Sequence, residues 1–214
     1  MPDYLALLGH SHIHWLMSKY VKSGNMDVPN AKPKDLSNFE INADELRVGY
    51  YGSRGLKFRH IQNEPDCELR LFCQALPQNS LKEAILWLGD NDVMGSSPLA
   101  LSNQIITLAE ELVLTSHFNK VHIMQILPRY ISGSAGEAYN GKAAIINEAL
   151  EERCKVLDNI SFINKVFHFP STSLAKFEKD KDKFIFDGIH LNSLGQRRVY
   201  KKFKSIAIKL ANHR

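Results

Sequence analysis

Short apolar runs alternate along the chain with longer segments in which apolar and polar positions repeat at helical spacing. The runs that end at a glycine or a proline predict buried strands at YLALLG, LRVGYYG, AILWLG and KVHIMQIL, and ISFIN predicts a short edge strand. The amphipathic segments predict helices over HIHWLMSKYV, 99–115, 141–156 and 193–210. In the last of these helices one face is apolar, formed by Val199, Phe203, Ile206 and Leu210.

This alternation of strands and helices predicts an α/β fold: a three-layer α/β/α sandwich whose central, mostly parallel sheet is covered on both faces. With 214 residues the chain is long enough for one domain with a sizeable core, so we predict a single domain over 1–214. Two polar segments are predicted as loops. Residues 23–45 read as a long surface loop, and the mixed-charge stretch 176–184 as a mobile loop beside the site.

Composition and charge narrow the class of protein. Hydrophobic residues make up 44% of the chain and charged residues 23%, which is typical of a globular domain and excludes a disordered chain. The net charge of +4 is too small to indicate nucleic-acid binding by itself. The three cysteines form no C-x-x-C pair and indicate no disulfide framework. No apolar run approaches the ~20 residues of a membrane helix and no basic leader precedes the first strand, so we expect a cytoplasmic or nuclear protein.

Candidate catalytic residues follow the predicted strands. Ser11, Gly52 and Asn91 each come just past the end of a strand, and functional sites of open α/β sheets form outside those ends. DGIHLNSLG, ahead of the last helix, adds Asp187 three residues before His190. A serine needs a base within hydrogen-bond reach to act as a nucleophile, and a carboxylate can orient that base. These residues are the types needed for nucleophilic catalysis by a serine.

The order of these motifs resembles that of the SGNH hydrolases, the GDSL-like esterases and lipases. Gly9-His10-Ser11, GYYGSRG, GDND and D-x-x-H supply Ser, Gly, Asn and His in the family's order, from Gly9 to Gly195. The resemblance implies a flavodoxin-like sandwich, a serine esterase that needs no cofactor or metal, and a small-molecule or lipid ester as substrate, with short acyl esters the simplest class. The implied catalytic residues are Ser11, Asp187 and His190, and the implied oxyanion hole combines Ser11, Gly52 and Asn91, with Gly55 as a rival to Gly52.

The first motif departs from the family's usual Gly-Asp-Ser, because His10 stands where the aspartate is expected. That aspartate is not a catalytic group but helps to order the turn. Either His10 replaces it by hydrogen bonding or the site is weakened. The Gly-x-Ser followed by an aromatic-rich helix also resembles the esterase domains associated with non-LTR retrotransposons and their stand-alone animal relatives.

Other interpretations compete with the serine mechanism. Ser11 would also suit a helix N-cap, and His10, His12 and His14 would bind zinc if they alternated along a strand, although a helix starting near His12 separates them. Asp90 and Asp92 are interpreted as loop and cap residues, with Asp92 bracing the Asn91 loop. A catalytically weak binding module is the third alternative. It would hold nucleic acid or an anionic lipid surface through basic residues of the last helix, which are Arg197, Arg198, Lys201, Lys202, Lys204 and Lys209.

Overall fold

A computed structural model describes residues 2–17, 38–62 and 67–212. Its strands are β1 Asp3–Gly9, β2 Leu46–Gly52, β3 Lys82–Trp87, β4 Lys120–Met124 and β5 Ile160–Ile163. Its helices are α1 Ser11–Trp15, α2 Phe58–Gln62, α3 Glu68–Gln74, α4 Pro98–Thr115, α5 Ser134–Cys154, α6 Leu174–Phe184 and α7 Ser193–Ala211. All five predicted strands are present, and the helices predicted at 99–115 and 193–210 are confirmed as α4 and α7.

The five strands form one parallel sheet in the order β2-β1-β3-β4-β5. The last residue of β1, Gly9, lies opposite Gly52 of β2 on one side and Trp87 of β3 on the other. The segment after β1 leads to β2 on one side of the sheet, and the segment after β3 leads to β4 on the other side. In such sheets the crevice beyond the two strand ends is the usual place for a site. The predicted parallel sheet is confirmed, and the crevice lies where β1 and β3 end.

Both faces of the sheet are buried beneath helices, which makes three layers. Ala6 and Leu8 of β1 face one apolar cluster that also contains residues of α3, α4 and α5. Leu5 and Leu7 face the other cluster, which contains residues of α1 and α7. Successive side chains of a strand point to opposite faces, so a strand buried on both sides must be apolar throughout. This is why the continuous apolar runs identified the strands.

Two predicted boundaries differ from the structure by three residues or more. β4 ends at Met124 rather than just before Pro128. The Gln125 N–H still donates to the Ile163 carbonyl of β5, but the Ile126 backbone bonds to the Asn147 side chain instead of to a strand. α5 begins at Ser134 rather than 141. A side chain at Gly136 would overlap the Ile131 carbonyl oxygen, so this glycine allows close packing inside the helix rather than ending it.

The mixed-charge stretch 176–184 is not a loop but belongs to α6. Phe177 and Asp180 are both buried on its inner face. The Asp180 carboxylate accepts hydrogen bonds from the His168 backbone and ring and from the Arg198 guanidinium. The prediction failed because these partners come from distant parts of the chain and turn a polar helix into a packed one.

Of the long surface loop predicted at 23–45, residues 23–37 lie outside the described ranges, and the first two residues after them are not at the surface. Asn38 and Phe39 are buried. The Asn38 side chain donates to the Leu46 carbonyl and accepts from the Val48 N–H, and Phe39 packs against Tyr200 of α7 with ring centroids 5.0 Å apart. Asn38 and Phe39 therefore belong to the core under α7, whereas residues 42–45 are exposed, as the predicted surface loop requires.

Candidate active site

Ser11 is the first residue of the short helix that follows β1. The N-cap of α1 is His10, whose ring accepts a hydrogen bond from the His12 N–H. The alternative in which Ser11 caps the helix is therefore wrong. As the first helical residue, Ser11 has a backbone N–H with no partner inside the helix. Its hydroxyl oxygen lies 3.4 Å from His10 Nδ1, so Ser11 is held at the start of the helix without capping it.

His10 forms a buried pair with Asp90, the first residue beyond the Gly89 turn after β3. His10 Nε2 lies 2.7 Å from an Asp90 carboxylate oxygen, and both side chains are nearly inaccessible. Burial acts to raise the pKa of Asp90, but the electrostatic interaction and hydrogen bond with the His10 ring outweigh it and hold that pKa below its usual value. The ionised carboxylate places the ring proton on Nε2, which leaves Nδ1 as the acceptor for the helix cap. His10 thus orders the turn by hydrogen bonding, in place of the aspartate of the usual Gly-Asp-Ser motif.

His190 and Asp187 form a second His–carboxylate pair, on the loop before α7. His190 Nδ1 lies 2.7 Å from one Asp187 oxygen, and the other oxygen accepts the backbone N–H groups of Ile189 and His190. Partial burial acts to raise the pKa of Asp187, but these hydrogen bonds outweigh it and lower the pKa to about 2. Asp187 is therefore ionised at neutral pH and directs the other nitrogen, Nε2, away from itself.

One cavity of about 180 Å³ joins the candidate residues. Ser11, Asn91 and His190 all line it, although they come from the ends of β1 and β3 and from the loop before α7. Its remaining lining residues are His10, His12, Asp90, Leu127, Pro128, Arg129, Tyr139 and Ile189. The fold therefore brings together the predicted nucleophile, base and oxyanion amide, with Asp187 behind the base.

The Asn91 side chain is held by a segment that follows β2. Its Nδ2 donates to the Leu56 carbonyl oxygen at 3.1 Å, and a primary amide has a second N–H to offer the cavity. The next residue, Asp92, donates its backbone N–H to the Gly89 carbonyl and accepts the Phe58 N–H through its carboxylate. These contacts fit the interpretation of Asp92 as a brace for the Asn91 loop.

Neither glycine predicted for the oxyanion hole lines this cavity. Gly52 packs behind α1, where an added Cβ would lie 2.6 Å from the His14 nitrogen. Gly55 sits in an open turn at φ +68 with no neighbour near an added Cβ. Gly52 therefore lets β2 approach the helix that begins at Ser11. The glycine N–H of the oxyanion hole remains a prediction.

The three N-terminal histidines do not share one face. His10 bonds to Asp90, while His12 stacks on Trp87 with centroids 4.7 Å apart and His14 lies against Trp15. Burial, then the nearby His10 ring, lowers the pKa of His12 to about 3 against a smaller effect of Asp90, so His12 is neutral at pH 7. Within the described ranges, no group of three or more His, Cys, Asp or Glu side chains is arranged to hold a metal ion. The helix separates His14 from the other two, whereas the His10 and His12 rings lie 5.0 Å apart, centroid to centroid.

A second chain of hydrogen bonds resembles a triad but lies elsewhere on the sheet. Ser161 Oγ is 2.6 Å from His122 Nδ1, and His122 Nε2 is 2.8 Å from a Glu83 oxygen. These residues lie within β5, β4 and β3 rather than beyond the strand ends, where sites of parallel sheets form. They line a separate cavity. Ser161 is therefore a matched control for Ser11.

Two polar side chains of the cavity, those of Arg129 and Tyr139, escaped the sequence analysis. Arg129 follows the end of β4, where its guanidinium lies 4.1 Å from the centroid of the Tyr139 ring of α5 and donates to the Asp90 carbonyl oxygen. Its position just past a strand end, in LPRY, is the signal that could have indicated it. Tyr139 lies on a helix and offers no comparable signal.

The basic side chains of α7 are only partly free. Arg198 pairs with Asp180, and Lys204 pairs with Glu40. Arg197, Lys201, Lys202 and Lys209 are exposed. No helix in the described ranges combines the length and apolar character needed to cross a membrane. Binding of nucleic acid or an anionic surface through α7 remains a prediction.

Solved structures identify the fold. No protein-family model and no curated protein matches the chain. A lipolytic protein of the G-D-S-L family from Veillonella parvula matches 96% of this chain and 97% of its own with a TM-score of 0.61 and 18% identity. A GDSL-like lipase from Bacteroides thetaiotaomicron matches 97% and 88% with a TM-score of 0.64 and 15% identity. The chain has the SGNH-hydrolase fold. The acetyl xylan esterase AlAXEase has this fold too, matching 95% of this chain and 98% of its own with a TM-score of 0.61 and 19% identity.

Proposed function

We propose that this chain is a serine esterase that hydrolyses short-chain carboxylic esters through an acyl-enzyme on Ser11. The observation that carries the proposal is the cavity shared by Ser11, Asn91 and His190, with Asp187 bonded to His190. The described neighbours with this fold include a lipase and an acetyl xylan esterase, which agrees with ester hydrolysis. The cavity of about 180 Å³ lies below the ~300–1,000 Å³ typical of sites for drug-sized ligands, which favours a small acyl group.

The first half of the reaction forms the acyl-enzyme. His190 Nε2 removes the proton of the Ser11 hydroxyl as its oxygen attacks the ester carbonyl carbon, and Asp187 stabilises the imidazolium that forms. Negative charge develops on the carbonyl oxygen and is met by the Ser11 N–H and the free N–H of the Asn91 amide. The His190 imidazolium then gives its proton to the leaving alkoxide, and the alcohol departs.

The second half repeats these steps with water. His190 removes a proton from a water molecule, whose oxygen attacks the acyl carbon, and the same donors stabilise the second oxyanion. The proton returns to the Ser11 oxygen as the carboxylic acid is released. His12 lies beside this path, with its ring centroid 6.1 Å from that of His190, and because it is neutral it adds no charge that would oppose the imidazolium.

The test is hydrolysis of 4-nitrophenyl acetate and its longer acyl homologues by three proteins: wild type, Ser11→Ala and Ser161→Ala. We expect turnover that resists a chelator, falls at least about 10³-fold in Ser11→Ala and is retained in Ser161→Ala. The rate should decrease as the acyl chain outgrows the cavity. Equal turnover in wild type and Ser11→Ala would refute the serine mechanism. Absence of turnover in wild type, with salt-sensitive binding of nucleic acid, would favour the binding module.

A further inference from the structure

The cavity of the candidate active site is lined by a positively charged side chain that has no role in the proposed reaction. Arg129 lines the cavity together with Ser11 and His190 and is half-buried. Its guanidinium is fixed by two contacts, the stacking on Tyr139 and the hydrogen bond from Nη2 to the Asp90 carbonyl oxygen at 3.3 Å. A side chain fixed in this way loses little further freedom when a ligand binds, which favours recognition.

The charge of Arg129 is not neutralised by a partner. Within the described residues no carboxylate forms an ion pair with it, and the one carboxylate that lines the cavity, Asp90, is bonded to the His10 ring and the Leu127 N–H. The His12 ring, which also lines the cavity, is buried against Trp87. The Asp90 carboxylate is thus engaged by other groups, and the Arg129 guanidinium is left to face a ligand in the cavity.

The guanidinium also has donors to spare. It carries several N–H groups in a planar fork that matches the oxygens of a carboxylate, phosphate or sulfate, and its contact with Asp90 uses a backbone carbonyl rather than a carboxylate. In a partly enclosed cavity, an anion that met this fork would gain a charge-assisted hydrogen bond that a neutral group would not. A neutral ester of the same shape would leave these donors to water.

We propose that Arg129 makes the enzyme selective for esters that carry an anionic group close to the ester bond. The inference rests on the proposed function and names the substrate class: esters whose acyl or alcohol part bears a carboxylate, phosphate or sulfate. Because the cavity is small, the anion and the ester carbonyl must lie close together in space to occupy it at the same time. Arg129 is thus a specificity-determining residue that binds substrate and takes no part in bond making.

The test compares matched anionic and neutral esters in a pH-stat. Monomethyl and dimethyl succinate place the difference in charge on the acyl part, and 4-acetoxybenzoate and its methyl ester place it on the leaving group. For each pair we take the ratio of kcat/KM for the anionic ester to kcat/KM for the neutral ester. Dividing it by the ratio of their hydroxide-catalysed rates removes the difference in intrinsic reactivity and gives a corrected ratio. We expect this corrected ratio to fall about tenfold in Arg129→Gln for at least one pair, to be largely kept in Arg129→Lys, and to be unchanged in Arg153→Gln.

The corrected ratio separates recognition of charge from support of the loop. If Arg129 only supported the Asp90 carbonyl, its loss would slow both members of each pair and leave both ratios unchanged, which would overturn the inference while the esterase function stood. Loss of all ester hydrolysis in wild type would instead refute the proposed function, and the inference would fall with it. Ser11→Ala gives an independent measurement, because it should bind 4-acetoxybenzoate without consuming it and lose that binding when Arg129→Gln is added.

Discussion

Replacing His10 by aspartate restores the Gly-Asp-Ser motif typical of the family, yet we expect His10→Asp to destabilise this protein. His10 and Asp90 face each other at 2.7 Å with side chains 1% and 8% exposed. The introduced carboxylate would meet the Asp90 carboxylate in that space. The helix cap is not the cause of the loss, because aspartate is itself a favoured N-cap residue.

The magnitude follows from the burial of the pair. Leaving a buried charge such as the Asp90 carboxylate without its partner costs about 3–5 kcal/mol, and a domain of this size loses about 2–4 °C in Tm for each kcal/mol. We therefore expect Tm to fall by about 6–20 °C at neutral pH. The two carboxylates would share a proton, so their pKa in the folded state is raised above the unfolded value. That contribution is present at low pH and is lost as pH rises through the raised pKa, so the deficit should shrink in mild acid.

The assay is thermal unfolding from about pH 4.5 to 8, with two controls that isolate the pair. His117→Asp makes the same exchange at an exposed residue whose backbone, at φ 56, aspartate tolerates, and should change stability by less than about 0.5 kcal/mol. The double exchange His10→Asp with Asp90→His rebuilds the pair in reverse and should recover most of the loss. If His10→Asp were as stable as wild type and as active or more so, the pairing described here would have no energetic role.

Three further predictions concern the same site. Asn91→Ala should lower kcat about 10²–10³-fold with little change in KM, because it removes an oxyanion donor; steady-state kinetics showing a change in KM alone would contradict this role. Gly52→Ala should reduce activity and Tm more than Gly55→Ala, because the added Cβ at Gly52 would overlap the α1 backbone. An added Cβ at Gly55 would meet no other atom, and only the positive φ of that residue would be unfavourable. Equal effects of the two substitutions would refute the packing argument. Because the pKa of His12 is low in the folded protein, unfolding takes up a proton below about pH 6.5. The free energy of unfolding should therefore fall by up to about 2 kcal/mol from pH 6.5 to pH 5, and by less in His12→Phe. Denaturant unfolding at several pH values measures this, and the same pH dependence in wild type and His12→Phe would contradict it.

Much of the fold was predictable because buried strands leave a strong signal. A strand covered on both faces must be apolar at successive positions, and α7 repeats its apolar residues at helical spacing, so β1, β3 and α7 could be identified without tertiary information. α6 could not, since its charges suggest a solvated segment until His168 and Arg198 are known to meet Asp180. Local pattern therefore identified the elements that bury a large apolar surface. It missed α6, which depends on specific polar partners, and the short helices α2 and α3.

The same division holds for the candidate site. The sequence by itself determined where Ser11, Asn91 and His190 stand relative to strand ends and the last helix, because those positions depend only on local order along the chain. Only the tertiary structure decided which side chains meet there: that His10 bonds to Asp90, that Leu56 holds Asn91, and that Arg129 enters the cavity. The physical reason is the strand order β2-β1-β3-β4-β5, which places the ends of β1, β3 and β4 side by side although long stretches of chain separate them. Hydrogen bonds and charges act over a few ångströms of space, and that proximity is created by the sheet rather than by the sequence spacing.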